Sequence, residues 1–303
     1  KKLFYIYIKY SILFSKNVNI LNYDFIVAAY EGIAEIVIYI NYLRSVFSKK
    51  NGRNKYVLII QTSILNLITH KKKFTSRMWL RLINRIRLII SIKTICCSDS
   101  VLEELDAKQN KTNYTVINNF VNISATKSLS INISDNQTKE ILFYGDYFIN
   151  IGRFSVQKNQ IFLVHAFERI CHQSKYNLLL IGNEQDGYTT HYIKKFVIDK
   201  KLDKRIFLLC EKINPFPYLA NSKAFLFTSQ YEGFPLVLLE CMALGIPIIT
   251  TKYAGYANLV NSQNAIIIEK DDINAYSTKM LHIEKKMGNM NSQIINAKKY
   301  SQQ

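Results

Sequence analysis

The second half of this 303-residue chain sets out short, uniformly apolar runs at regular intervals. They read YFINIG at 147–152, YNLLLIG at 176–182, RIFLLC at 205–210, KAFLFTS at 223–229, IPIITT at 246–251 and NAIIIE at 264–269. A strand with one wet face alternates apolar and polar residues, whereas a strand covered on both faces does not. Amphipathic segments at 160–172, 188–200 and 271–287 lie among the runs. Such strand–helix alternation makes the strands parallel, because each helix supplies the crossover. The pattern predicts a doubly wound α/β domain.

The first half repeats the theme less cleanly. Candidate strands are YDFIVAA at 23–29, KYVLIIQ at 55–61, TICCS at 94–98 and YTVINN at 114–119. Residues 71–90 carry Lys73, Arg77, Arg81 and Arg85 at intervals of four, with Phe74, Met78, Leu82 and Ile86 one position on. That is an amphipathic helix, either packing its stripe on a sheet or lying on anionic lipid. Between the halves, the polar, non-periodic stretch SLSINISDNQTKE suggests a boundary, placed at 140/141. The fold class expected is thus α/β, with one domain over 1–140 and a second over 141–303.

Charge narrows the partner. Forty Lys and Arg against 22 Asp and Glu give +18, which points to an anion: nucleic acid, an acidic membrane or ligand phosphates. Abundant Ile, Asn and Lys offer a second account of the total, namely AT-rich coding. The basic residues are dispersed and no RNP-type aromatic motif or zinc finger occurs, which argues against nucleic acid. Five cysteines with no C-x-x-C pair read as reduced thiols in a cytosolic protein. No run reaches the roughly 18 apolar residues of a membrane span. The opening KKLFYIYIKYSILF resembles a signal peptide superficially, but Lys9 interrupts it, and a truncated beginning is the expectation.

The stretch SQYEGFPLVLLECMALGIPIITT (229–251) poses the chemical question. Leu236 to Leu244 reads as a core helix whose one polar residue is Glu240. An ionised carboxylate there costs several kcal/mol unless something hydrogen-bonds to it. Ligands of parallel α/β sheets gather beyond the carboxyl ends of strands, where helix N-termini aim N–H groups outward. Glu232 and Gly233 fall at such a strand end, and Pro235 suits a first helical residue. Glu240 lies two helical turns past Gly233, roughly 10 Å along the same face. That span fits a diphosphate at the helix start and a ribose whose two hydroxyls meet Glu240. Spacing alone equally allows a Glu neutralised by a nearby Lys or Arg.

A second element faces this one. INIGRFSVQKNQIFLVHAF (149–167) is a strand, a turn at Gly152, then Arg153 and Lys158 ahead of an amphipathic helix. A guanidinium fork and an ammonium both suit phosphate oxygens, although loop cations are also commonly just solvated.

These segments, with LLLIGN, NPFPYLANSKAFLFTSQYEGFPLVLLECMALGIPII and NAIIIE in that order, resemble the C-terminal half of the family-4 retaining glycosyltransferases, marked by a Glu-x7-Glu motif. The resemblance covers 147–270 well and the first half loosely. It implies the GT-B fold: two Rossmann-like doubly wound domains facing a cleft, the N-terminal one incomplete here. It implies transfer of a sugar from a UDP- or GDP-type nucleotide sugar, as co-substrate, to a glycan or polyprenyl-linked acceptor in cell-surface polysaccharide, lipopolysaccharide or capsule synthesis. By that resemblance Arg153 and Lys158 hold the leaving diphosphate and Glu232 contacts the donor sugar as the catalytic set. Glu240 binds the ribose, Gly152, Gly233, Phe234 and Leu236 meet phosphates and sugar, and Glu211 and Lys212 line the base pocket. No metal or other cofactor is implied. The expected setting is the cytoplasm, with peripheral contact to the inner face of an anionic plasma membrane.

The sequence also departs from that family. It has no Gly-Gly loop in its first half, Gln61 and Thr62 stand where an N-domain histidine is usual, and Asn258 stands near a usual Glu. A catalytically impaired relative or fragment that only binds nucleotide sugar is the alternative reading.

Overall fold

The computed structural model describes residues 3–6, 25–29, 55–60, 91–105, 114–209, 212–286 and 291–300. The chain divides into two compact units, Lys1–Asn119 and Phe120–Gln303. In the first, β1 (Leu3–Ile6), β2 (Phe25–Ala29), β3 (Lys55–Ile60), β4 (Ser91–Cys96) and β5 (Tyr114–Val116) form a parallel sheet in that order. Helix α1 (Asp99–Leu105) follows β4. The signal-like opening contains a strand: Leu3 to Ile6 pair in register with Phe25 to Ala28. Its aromatic and β-branched residues suit a pleated, covered surface. The helix expected over 71–90, and Gln61 and Thr62, lie outside the described residues.

The second unit opens with α2 (Ile123–Ile131) and α3 (Asp135–Phe143), where the sequence reads as a polar linker. Both helices are built by their caps. Asn122 Oδ1 accepts from Ala125 N at 3.0 Å, starting α2. Ser134 and Gln137 form a reciprocal capping box at the start of α3, with bonds of 3.3 and 3.2 Å. The second compact unit begins at Phe120, ahead of these helices.

Glu140 on α3 shows what holds them down. Lys212 Nζ donates to both its oxygens, at 2.9 and 3.1 Å, and the Tyr144 and Tyr218 hydroxyls also donate to it. Burial alone would push this carboxyl up, but the Tyr218 and Lys212 hydrogen bonds and the Lys212 charge hold it below its usual range. Glu140→Gln should therefore cost about 1–2 kcal/mol at neutral pH. A carboxyl depressed by folding stabilises above its unfolded pKa and loses that effect as pH falls through the folded value. The gap between the two proteins in urea denaturation should close there.

Six parallel strands follow: β6 (Tyr147–Ile151), β7 (Asn177–Ile181), β8 (Ile206–Leu209), β9 (Ala224–Phe227), β10 (Ile248–Thr251) and β11 (Ile266–Ile268). Every expected apolar run of this half is a strand. Helices α4 (Gln160–Glu168), α5 (Tyr188–Asp199), α6 (Phe216–Ala220), α7 (Leu236–Leu244), α8 (Ile273–Lys286) and α9 (Asn291–Tyr300) alternate with them. All four residues of β9 and of β10 are buried, which accounts for the unbroken apolarity of β9 and the absence of charge in β10. The core cluster includes Phe148, Phe167, Leu178, Leu226, Ile249 and Tyr276. Among the described residues no helix is long and apolar enough to cross a membrane.

The spatial order is β11-β10-β9-β6-β7-β8. The chain first builds outward from β6 through β7 to β8, then returns to the other side of β6 and builds outward again. The direction reverses between β6 and β9, the place where open α/β sheets bind ligands. Their ladder is short: Phe148 pairs with Ala224 and Ile149 with Phe225, and there it stops. Beyond it, the buried Asn150 donates from Nδ2 to Leu226 O at 2.7 Å.

Candidate functional site

Two loops leave the sheet at this point of reversal. After β6 run Gly152 to Asn159; after β9 run Thr228 to Pro235. They are tied closely. Gln230 N donates to Gln157 O at 2.8 Å, and Gln157 Nε2 donates to Tyr231 O at 3.0 Å. The buried Thr228 hydroxyl donates to Lys158 O at 3.0 Å. Gln160, fully buried in the first turn of α4, gathers the first loop on itself: Nε2 donates to Arg153 O at 2.9 Å.

The charged groups sit on this frame. Lys158 Nζ and Glu232 Oε1 are 2.7 Å apart, joining the two loops across the opening. Both are largely shielded, with side-chain exposures of 18% and 12%, so the pair is screened less than a surface one. The Lys158 stem passes over Gly152, its Cδ and Cε 3.6 Å from where a Cβ would stand there. Arg153 is exposed, and its guanidinium makes no hydrogen bond or ion pair among the described residues.

Helix α7 begins at the second loop. Pro235 is its N-cap rather than its first helical residue, and its side chain makes no capping bond. Gly233 and Phe234 are buried ahead of it, while Leu236 is 47% exposed. Leu238, Leu239, Cys241, Met242 and Ala243 are all buried, and Gly245 ends the helix at φ 75°. Glu240 is half-buried among them. It makes no hydrogen bond or ion pair among the described residues, and burial raises its carboxyl above the ordinary range. The neutralising Lys or Arg that spacing alone allowed is absent among those residues.

Two loops carrying cations and a carboxylate thus meet at a helix N-terminus, a combination whose chemistry suits an anion. Residues 135–300 match the family model described as glycosyl transferases group 1. The chain belongs to that family. An uncharacterised glycosyltransferase of Methanocaldococcus jannaschii is 32% identical over 146 residues, covering 47% of this chain and 34% of the relative. The capsular polysaccharide biosynthesis glycosyltransferase CapH of Staphylococcus aureus is 38% identical over 114 residues, covering 36% of this chain and 30% of the relative. The matched region is about a third of the length of these relatives. Among solved structures, Anabaena HepE in complex with UDP and glucose superposes with a TM-score of 0.76 at 17% identity, covering 93% of this chain and 73% of that one. Sucrose-phosphate synthase from Thermosynechococcus elongatus gives 0.74 at 17% identity, covering 92% and 69%. The fold is the α/β fold of the GT-B glycosyltransferases.

Within this member of the group 1 family the structure gathers Gly152, Arg153, Lys158, Glu232, Gly233 and Phe234 at the two facing loops, with Leu236 and Glu240 on the helix that follows. It does not bring Lys212 to them: that side chain is taken up by Glu140. Glu211 lies outside the described residues. Sequence reasoning missed Asn150, Gln157, Gln160 and Thr228, which hold the loops. Their signal is a polar residue inside an apolar run, or an amide pair three apart in QKNQ, each an ordinary surface feature until the fold buries it.

Gly182, at the end of β7, fixes how close the first loop lies. A Cβ there would stand 2.0 Å from Gly152 O. Gly182→Ala should cost about 3 kcal/mol in denaturant unfolding, because backbone rather than a side-chain tip must yield.

Proposed function

We propose that this group 1 transferase is a retaining, family-4-type enzyme that moves a sugar from a UDP- or GDP-linked donor to a glycan or polyprenyl-linked acceptor in cell-surface polysaccharide synthesis. The observation that carries it is the shielded Lys158–Glu232 pair across the sheet's point of reversal, with Glu240, which has no partner among the described residues, two turns along the adjoining helix. Arg153 and Lys158 would grip the diphosphate, and the α7 N-terminus would add its N–H groups and dipole. Glu240 would accept both ribose hydroxyls, giving its carboxylate the hydrogen bonds the protein withholds.

In the reaction the bond from the sugar's C1 to the diphosphate oxygen breaks, and its electron pair leaves with the diphosphate. The acceptor hydroxyl oxygen bonds C1 on the same face, and its proton passes to the departing diphosphate. Positive charge builds on the sugar and negative charge on the leaving group. Glu232 faces the first and the two cations face the second, so both are met by groups already in place. In this reading the cations do the neutralising and the reaction needs no metal.

Relatives support the acceptor class. One, from Campylobacter jejuni, is named as an N-acetylgalactosaminyltransferase acting on a diphospho-undecaprenol substrate, at 24% identity over 146 residues. Another, from Staphylococcus aureus, is named as a poly(ribitol-phosphate) N-acetylglucosaminyltransferase, at 27% identity over 186 residues. A polyprenyl acceptor would place the protein peripherally on the cytoplasmic face of a membrane. The test is a thermal-shift panel of UDP- and GDP-sugars, followed by turnover on polyprenyl-linked acceptors with the anomer of the product read by NMR. A shift with one donor and a product of unchanged anomeric configuration supports the reading. A shift without turnover would make the protein a binder, and no shift with any nucleotide sugar would remove the donor site.

A further inference from the structure

The pairing of β6 with β7 does not end with the strands. Gly152 N donates to Ile181 O at 2.9 Å, Phe154 N to Asn183 O at 2.8 Å, and Gln185 N to Phe154 O at 3.2 Å. Phe154 and Glu184 form an isolated parallel bridge. The next link is made by a side chain: Asp186 Oδ2 accepts from Val156 N at 2.9 Å.

That carboxylate is itself held. Asp186 Oδ1 accepts from Thr189 N at 2.8 Å, and Oδ2 accepts from Thr189 Oγ1 at 2.9 Å. Thr189 is fully buried in the first turn of α5. Two bonds thus anchor Asp186 to a packed helix, and a third reaches across to the loop. The Val156 side chain is half exposed and gives the loop little grip of its own. On the far side of Val156, Gln157 ties the loop to the other lip of the opening.

We propose that Asp186 is a positioning residue for the donor's diphosphate. By holding the Val156 amide it fixes segment 153–158, so that Arg153 and Lys158 present their charges to one anion. The proposal rests on the donor-binding reading above. Lys158 has Glu232 and Thr228 to hold it. The Arg153 side chain has no partner among the described residues, so its aim follows the backbone. A loop free to wander by an ångström presents the guanidinium in many directions, and a bidentate grip on phosphate needs one. Asp186 touches no substrate in this account; it acts through the loop.

The test is Asp186→Ser in the full chain. Gly187 is the N-cap of α5, and serine at 186 keeps one oxygen to accept from Thr189 N, while the shorter side chain no longer reaches Val156 N. UDP, GDP, uridine and guanosine are titrated calorimetrically at two salt concentrations, alongside thermal midpoints. The expected result is about a tenfold loss of affinity for the preferred diphosphate and no change for its nucleoside. The fall of affinity with salt should become shallower, because a cation has left the phosphate. The midpoint should fall by about two to four degrees, because a bond to the buried Thr189 is lost as well, and the nucleoside arm separates that loss from the effect on the diphosphate. Unchanged diphosphate affinity would overturn the proposal. So would an equal loss for diphosphate and nucleoside with the salt dependence intact, the mark of general loosening. If the wild-type chain binds neither diphosphate, the donor-site reading fails first and this inference goes with it.

Discussion

Glu240→Gln should make the ligand-free protein more stable and the liganded one worse, two changes of opposite sign from one atom. In the empty protein the Glu240 carboxylate is half-buried on an apolar helix and makes no hydrogen bond or ion pair among the described residues. Neutral glutamine avoids that desolvation, for a gain of about 1–2 kcal/mol at neutral pH. Because burial raises the carboxyl above its ordinary pKa, the folded state holds its proton more tightly than the unfolded one. Stability is therefore greatest at low pH and falls as pH climbs from the ordinary carboxylate value through the raised one. The variant's advantage should grow over that window and level off above it. In calorimetry the same change should weaken UDP or GDP binding by about a hundredfold, as two charge-assisted hydrogen bonds to a diol are reduced to neutral ones. Stabilisation without lost affinity would detach Glu240 from the ribose.

The second large effect concerns turnover. Arg153→Ala combined with Lys158→Ala should lower kcat by about a thousandfold or more, with the acceptor KM changed by about twofold at most. Removing one well-placed electrostatic partner of a developing charge costs about 10²–10³, and the departing diphosphate would lose two. The single variants should not multiply to the double, since both cations serve one anion. Lys158→Ala carries an added penalty, because it leaves Glu232 shielded and unpaired. An acceptor KM that rises in step with the loss of kcat would place these cations on the wrong substrate.

The sheet of the second unit was legible because strands covered on both faces need apolar residues throughout, and nothing else in a chain of this kind writes AFLF or IITT. Glu232, Arg153 and Lys158 stood out because each is a charge at the edge of an apolar run, and Glu240 because it is the one polar residue inside such a run. Helices α2 and α3 were not, although their capping signals stand in the sequence at Asn122 and at Ser134 with Gln137. Their composition is polar, and hydrophobic periodicity says nothing about a helix pinned by hydrogen bonds such as those of Glu140. Lys212 shows the converse. A cation near a strand end looks available for a ligand until folding supplies a carboxylate from 72 residues away.

The early end of the β6–β9 ladder leaves the last tie between those strands to a side chain. Past Ile149 the backbone rungs give way to the Asn150 amide, which donates to Leu226 O. A substitution at this one position can therefore loosen the seam beneath both loops while every rung of the sheet stays intact.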